Sequence, residues 1–285
     1  FDELDIFEIA VLATMLAATD AALGKAVITN EHVPEKLREG LNIESGLNDG
    51  ICVPILFLFI ALAIGHEAAE DSTALAVKLV LKELGIGLAV GLGLTFIGAK
   101  FMKWTFGMGW VTSIWMQVPV VALAVGCFAV AQSLHGSGYV AAFTGGLLFG
   151  YLAKDATHEL VHAGEGVGET LALLTWLVFG AAGVGHMGPF SPDALLYAGL
   201  SLTVVRMRPM YLALIGSGEK ASARLFLGWF GPRGLASIVF AVIVFGYNLP
   251  HGELLAKTVV YTVLLSVILH GLTANPLARW IGQKA

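Results

Sequence analysis

What most constrains this chain is its division into nine long apolar stretches, at approximately 6–29, 41–64, 80–99, 109–133, 138–153, 170–187, 193–215, 225–248 and 257–281. Charged or Gly/Pro-rich segments bound each one. A run of about 20 apolar residues is what an α-helix needs to cross the hydrocarbon core of a bilayer. The runs are far longer than barrel strands and lack period-two alternation, so they read as helices. The run at 138–153 is short, and Lys78, Lys82 and Glu83 blur the start of the third. Composition agrees: 57% of the 285 residues are hydrophobic and 13% are charged, at a mean hydropathy of +0.81. Globular domains carry about 25% charged residues, so too few remain here to clothe a water-exposed surface. The sequence predicts an all-α polytopic membrane protein.

The formal charge of −5 and the lack of any long Lys/Arg cluster argue against a nucleic-acid partner. Cys52 and Cys127 lie in apolar runs, where they read as small buried hydrophobes and not as a disulfide framework. The chain begins at Phe1, with no initiator Met and no basic segment before an apolar run, so no signal peptide is read here and the chain looks like an excerpt.

Lys and Arg accumulate in cytoplasmic loops. With the first span starting outside, the inside segments carry Lys25, Lys36 and Arg38, then Lys100 and Lys103, Lys154, Lys220 and Arg224, and finally Arg279 and Lys284. The opposite loops carry HEAAEDST, HGSG, GPFSPD and Lys257, and also Lys78 and Lys82 if these precede the membrane. This bias alternates through all nine spans and predicts a multi-pass inner-membrane protein with a cytoplasmic C-terminus.

Ionisable residues near mid-span cost about 2.5–3.5 kcal/mol on insertion scales and mark function by default. Such positions hold Asp20 in the first span, Glu44 and Asp49 in the second, Arg206 and Arg208 in the seventh, Arg233 in the eighth and His270 in the ninth. Glu44 and Asn48, and Ser45 and Asp49, are four residues apart, which puts all four on one helix face. That face offers two carboxylates, a hydroxyl and an amide, hard oxygen donors of the kind that suit a small alkali cation. The competing reading is a polar seam that holds helices together. Thr19-Asp20 followed by Gly24, and Gly231-Pro232-Arg233-Gly234, interrupt the first and eighth spans. Interrupted spans expose carbonyls and helix ends to a cavity, a construction found at ion sites in secondary transporters.

TD in the first span, ESGLNDG in the second, VVRMRP in the seventh, GPRGLASIVFA in the eighth and LLSVILHGLTANPLA in the ninth follow one another in this order, with SGYVAAFTGGLLFG between. In these motifs the chain resembles the monovalent cation:proton antiporters of the NhaP and sodium/hydrogen-exchanger type, over essentially its whole length. The resemblance implies a fold of thirteen helices, two inverted six-helix repeats joined by a linker helix. Residues 1–73 would end the first repeat, 74–108 would form the linker and 109–285 the second repeat, so about four further spans are expected upstream. It implies electroneutral exchange of one sodium or similar cation for one proton by an elevator-like motion, a homodimer, and no resident cofactor.

The resemblance also implies roles for individual residues. Asp49 would bind cation and proton in alternation, with Asp20 and Ser45 as further ligands and the Thr19 carbonyl contributing. Asn48 would stand where an Asn goes with electroneutral transport. Glu44 would pair with an arginine of the later span, Arg206 matching best, and Arg233 matches the arginine of the interrupted helix. Two departures stand out: Ala21 where many members have Pro after TD, and Arg208, which adds a second arginine and leaves open which one pairs with Glu44.

One motif points elsewhere. Residues 158–162 read His-Glu-Leu-Val-His, an HExxH match that in zinc proteases places two ligands one turn apart with Glu as general base. The metzincin continuation would require Gly at 165 and His at 168, where Glu165 and Gly168 stand. The alternatives to a transporter are therefore a membrane-embedded zinc metalloprotease, with this segment as its site, and a transport-inactive membrane fragment. In the first case KDATHELVHAGEGVGE carries catalysis; otherwise it reads as a polar cytoplasmic connection. His270 reads as a packed core histidine ahead of a proton sensor. GIGLAVGLGLTFIG reads as a close-packing surface and not as a nucleotide loop.

Overall fold

The computed structural model describes residues 3–20, 23–67, 70–110, 115, 117–153, 157–185 and 191–284, without the side chains at 49–50, 66–67, 70–73, 75–76, 79–80, 117 and 157–165. Every one of the nine apolar stretches carries helix among these residues: α1 Ile6–Met15, α2 Lys25–Ile28, α3 Glu35–Glu67, α4 Glu70–Gly107, α5 Gln117–Ser133, α6 Gly138–Leu152, α7 Thr157–Val178, α8 Pro192–Leu200, α9 Arg206–Ala213, α10 Ala221–Trp229, α11 Leu235–Gly246 and α12 Gly252–Gly282. By length and composition, segments of α3, α4, α12 and of α7 with its continuation are able to cross a membrane, at Glu35–Gly65, Leu81–Gly107, Gly252–Gly282 and Gly166–Val184. The chain is an all-helical, polytopic membrane protein. Its outward surface is consistent with that, since Leu173 and Leu177 are 70% and 69% exposed, and lipid is the medium that suits such residues.

Several boundaries differ from the hydropathy reading. Helices α3, α4 and α7 begin 6, 10 and 13 residues before the apolar stretches at 41, 80 and 170, at Glu35, Glu70 and Thr157. Polar residues continue a helix beyond the hydrocarbon as readily as apolar ones continue it within, so hydropathy does not mark such starts. Conversely, α4 ends at Gly107, short of the stretch read from 109, and Gly109 just after it takes φ 70°, the left-handed conformation that terminates helices. The helix starts follow local chemistry. Asp5 caps α1 in a reciprocal box with Glu8, and Ser137 and Ser191 cap α6 and α8, the latter with Pro192 in the first turn.

The chain forms two compact units, residues 1–67 with 176–285, and residues 68–175. In the second unit α4, α5 and α6 pack on one another. A Cβ at Gly91 of α4 would run into the Ala141 carbonyl and lie 2.6 Å from Thr144 Oγ1 of α6, so the glycine-rich run of α4 is a packing surface. Cys127 is buried in this unit beside Thr95, 3.6 Å away. The first unit holds the interrupted helices. One apolar cluster among its described residues joins α2, α3, α10 and α12 through Val27, Leu41, Phe226, Phe230 and Ala278. Between α8 and α9 the chain passes through a π-helical turn, Ser201–Val205, and α7 runs on into another, Phe179–Val184.

Candidate functional site

Two breaks in helix meet inside the first unit. Helix α1 ends at Met15 and residues 18–20 run without helical structure before α2; helix α10 ends at Trp229, and residues 230–234 lead into α11. Pro232 supplies no N–H to a helical ladder, and the sequence thus locates the second break. The two breaks bond directly to each other. The backbone N–H of Asp20 donates to the Pro232 carbonyl at 2.8 Å, and the Asp20 carboxylate accepts the Leu235 N–H at 2.7 Å and the Leu23 N–H at 3.2 Å.

Asp20 therefore caps the N-terminus of α11 from another segment. Arg233 does the reverse at the end of α1, donating from one guanidinium nitrogen to the carbonyls of Ala17 at 2.6 Å and Ala18 at 3.0 Å. Helix ends leave N–H and C=O groups unsatisfied and carry partial charges, positive at the N-terminus and negative at the C-terminus. Each break thus receives from the other the side chain whose charge its helix end calls for. Thr19, Asp20 and Arg233 are all buried.

The two glycines of GPRG are explained by close approach as much as by unwinding. A Cβ at Gly234 would run into the Asp20 carboxylate, and a Cβ at Gly231 into the Arg206 guanidinium. Any larger residue at either position displaces a charged group.

Helix α3 supplies the third wall. Ser45 donates its hydroxyl to the Thr19 carbonyl at 2.6 Å, and the Asn48 amide donates to Thr19 Oγ1 at 3.2 Å and to Glu44 Oε1 at 3.3 Å. Glu44 takes two hydrogen bonds from Arg206, at 2.5 and 3.0 Å, the bidentate geometry that Arg forms with carboxylates. Arg208 is exposed, so Arg206 is the arginine that pairs with Glu44. Arg233 takes backbone carbonyls instead of joining that pair. Asp49 lies one helical turn after Ser45 on α3, but its side chain is outside the described residues. A cavity of about 10 Å³, bordered by Thr19, Asp20, Glu44, Ser45 and Pro232, has room for about one water-sized particle.

Sequence reasoning missed Ser266, which accepts the Arg233 backbone N–H at 2.7 Å. Thr258, Thr262, Ser266 and His270 recur every four residues along α12 and are all buried. That spacing was a readable signal. The segment 158–162 lies at the start of α7, with its side chains outside the described residues. Among the described residues, no group of three His, Cys, Asp or Glu side chains is placed to hold a metal.

A family model for the transmembrane region of sodium/hydrogen exchangers matches residues 1–280. The chain is 24% identical to a K(+)/H(+) antiporter NhaP of Alkalimonas amylolytica, over 95% of this chain and 46% of the relative. It is 25% identical to a K(+)/H(+) antiporter NhaP2 of Shewanella sp. (strain MR-4), over 94% and 46%. It is 24% identical to a Na(+)/H(+) antiporter NhaH of Halobacillus dabanensis, over 95% and 68%. The chain thus spans about half the length of the first two of these relatives. The fold is similar to that of the sodium proton antiporter MjNhaP1 from Methanocaldococcus jannaschii at pH 8, with TM-score 0.68 and 21% identity over 96% of this chain and 73% of that one. These matches give the protease reading no support.

Proposed function

The chain belongs to the sodium/hydrogen exchanger family, and from that premise we propose that the protein exchanges a monovalent alkali cation for protons across a membrane by alternating access. The observation that carries the proposal is the junction of the two breaks, where the Asp20 carboxylate, the Thr19 carbonyl and the Ser45 hydroxyl converge on a small cavity. Oxygen donors of this kind replace the water shell of a small hard cation.

In this reading Asp49 is the exchanging carboxylate, next to Asn48, which already bonds Thr19. Only one ligand, cation or proton, occupies the carboxylate at a time, so the gradient of either drives the other. The Glu44–Arg206 pair neutralises a second carboxylate beside the site and leaves Asp49 to carry the transported charge. Asp20 and Arg233 keep the two breaks registered while the site is emptied and filled. Residues 1–73 and 109–285 belong to two inverted repeats joined through 74–108, and the protein is a homodimer of the inner membrane with a cytoplasmic C-terminus.

Sodium is the cation proposed. A second reading, potassium, is favoured by the names of two of the relatives reported above. The test is a full-length preparation in proteoliposomes with an imposed pH gradient, challenged in turn with sodium, lithium and potassium salts. Cation-dependent collapse of the gradient is the expected result, and no collapse with any of the three overturns the proposal.

A further inference from the structure

His270 of α12 touches both sides of the break in the eighth span. Its Nε2 lies 2.9 Å from the Trp229 carbonyl, at the last residue of α10. Its Nδ1 lies 2.9 Å from the Ser266 carbonyl and 3.1 Å from the Ser266 hydroxyl. That same hydroxyl accepts the backbone N–H of Arg233, just before α11 begins. The ring is 4% exposed and packs against Trp229 and Phe230, with centroids 5.2 and 6.2 Å away.

The donor and acceptor inventory limits what the imidazole does here. A carbonyl only accepts, so Nε2 carries a proton in every state. Nδ1 has two partners with opposite demands. In the neutral ring it is an acceptor, and the Ser266 hydroxyl turns its proton toward it. In the imidazolium it is a donor, and the Ser266 carbonyl takes the hydrogen bond, which releases the hydroxyl from the ring. Thr262 and Thr258, one and two turns before Ser266 on the same face, each spend their hydroxyl on a carbonyl of α12 at 2.8 Å. Among these three hydroxyls, Ser266 is the one that reaches across to the break.

We infer that His270 is a proton-responsive positioning residue for exchange: its protonation state reaches the Arg233 backbone through Ser266 and the end of α10 through the Trp229 carbonyl, and so sets the pH range in which the interrupted helix supports transport. The inference rests on the exchange activity proposed above. A proton on the ring also places a cation at the C-terminus of α10, where a positive charge suits the helix dipole. The charged groups that act on His270 from the packed elements are the guanidinium groups of Arg233, in the break, and of Arg206, on α9. Histidine is the side chain whose ordinary titration falls between about pH 5 and 8, the interval in which the effect is to be sought.

The experiment compares full-length wild type, His270→Gln and Ser266→Ala in proteoliposomes, with cation-driven proton movement measured across that pH interval. Gln keeps an N–H for Trp229 but does not titrate. Both variants are expected to show a pH profile displaced by about one unit or flattened relative to wild type. Profiles that superimpose on the wild type after scaling overturn the inference and leave His270 a packing residue. Trp229 emission provides a readout independent of transport, since an imidazolium quenches a neighbouring indole more than an imidazole does. The wild-type emission is expected to titrate, and the titrating part to vanish in both His270→Gln and Trp229→Phe. Emission that does not change with pH overturns the inference. If wild type exchanges no cation, the activity proposed above fails, and the emission alone then decides whether His270 responds to protons.

Discussion

Asp20 and Arg233 serve each other's helix ends: the Asp20 carboxylate receives the Leu235 N–H at the start of α11, and the Arg233 guanidinium donates to the Ala17 and Ala18 carbonyls at the end of α1. The two charges are thus used by backbone dipoles of opposite sign, and each break depends on the other.

That dependence predicts an asymmetric response at position 20. Asp20→Asn retains the cap geometry but loses the charge, which is worth about 1–2 kcal/mol at a partly buried helix end. Asp20→Ala loses both. Thermal unfolding in detergent should rank wild type above Asn and Asn above Ala, and both variants should lose cation-driven proton movement. An Asp20→Ala protein as stable as wild type would contradict the capping role.

The Glu44–Arg206 pair predicts a difference between single and double substitution. Removing one partner of a buried pair costs about 3–5 kcal/mol because the other charge is left uncompensated, and this pair, only part-buried, should fall at or below the lower end of that range. Arg206→Gln and Glu44→Gln should therefore each destabilise more than the double variant carrying both changes. Arg208→Gln, at an exposed site outside the Glu44 pair, should destabilise less than Arg206→Gln. Chemical or thermal denaturation of the four variants beside wild type provides the comparison.

Close approach at GPRG predicts that the smallest possible enlargement is harmful. Gly234→Ala places a methyl group against the Asp20 carboxylate, and Gly231→Ala places one against the Arg206 guanidinium. Overpacking of this kind costs about 1–3 kcal/mol. Gly246→Ala at the end of α11 meets nothing within 4 Å and serves as the control, neutral or stabilising by about 0.4–1 kcal/mol. Melting temperatures and exchange rates of the three variants test the claim.

The exchanging role of Asp49 predicts that Asp49→Asn folds and inserts but moves no protons in response to cation. An amide at this position has no negative charge to neutralise, so neither ligand of the exchange is bound. Wild-type-like exchange by this variant, in proteoliposomes that contain the full-length protein, would remove Asp49 from the mechanism.

Helix was legible wherever hydrocarbon demands it, because an apolar run of membrane length has few other solutions. Both interruptions were legible too, through Thr19-Asp20-Gly24 and Pro232 with its flanking glycines. What hydropathy left open lies outside the hydrocarbon or across segments distant in sequence. The polar starts of α3, α4 and α7 belong to the first kind. To the second belong the choice of Arg206 over Arg208 and the bonding of Arg233 to Ala17 and Ala18, some 215 residues away. The tie between Glu8 of α1 and His251 before α12, with 2.7 Å between the carboxylate and Nδ1, is of the same sort. Neither residue stands at mid-span, and no local pattern links them.

The sequence by itself determined the medium, the helical class, the location of both breaks and the set of polar residues a membrane would not otherwise tolerate, because each follows from a local rule of solvation or backbone chemistry. Only the tertiary structure decided which of those polar groups meet. Asp20 faces Leu235, Ser45 faces Thr19, Glu44 faces Arg206 and Ser266 faces Arg233, because a buried charge or an open helix end is stable only where another segment brings the complementary group within hydrogen-bond reach. No rule of spacing along a single helix specifies that encounter.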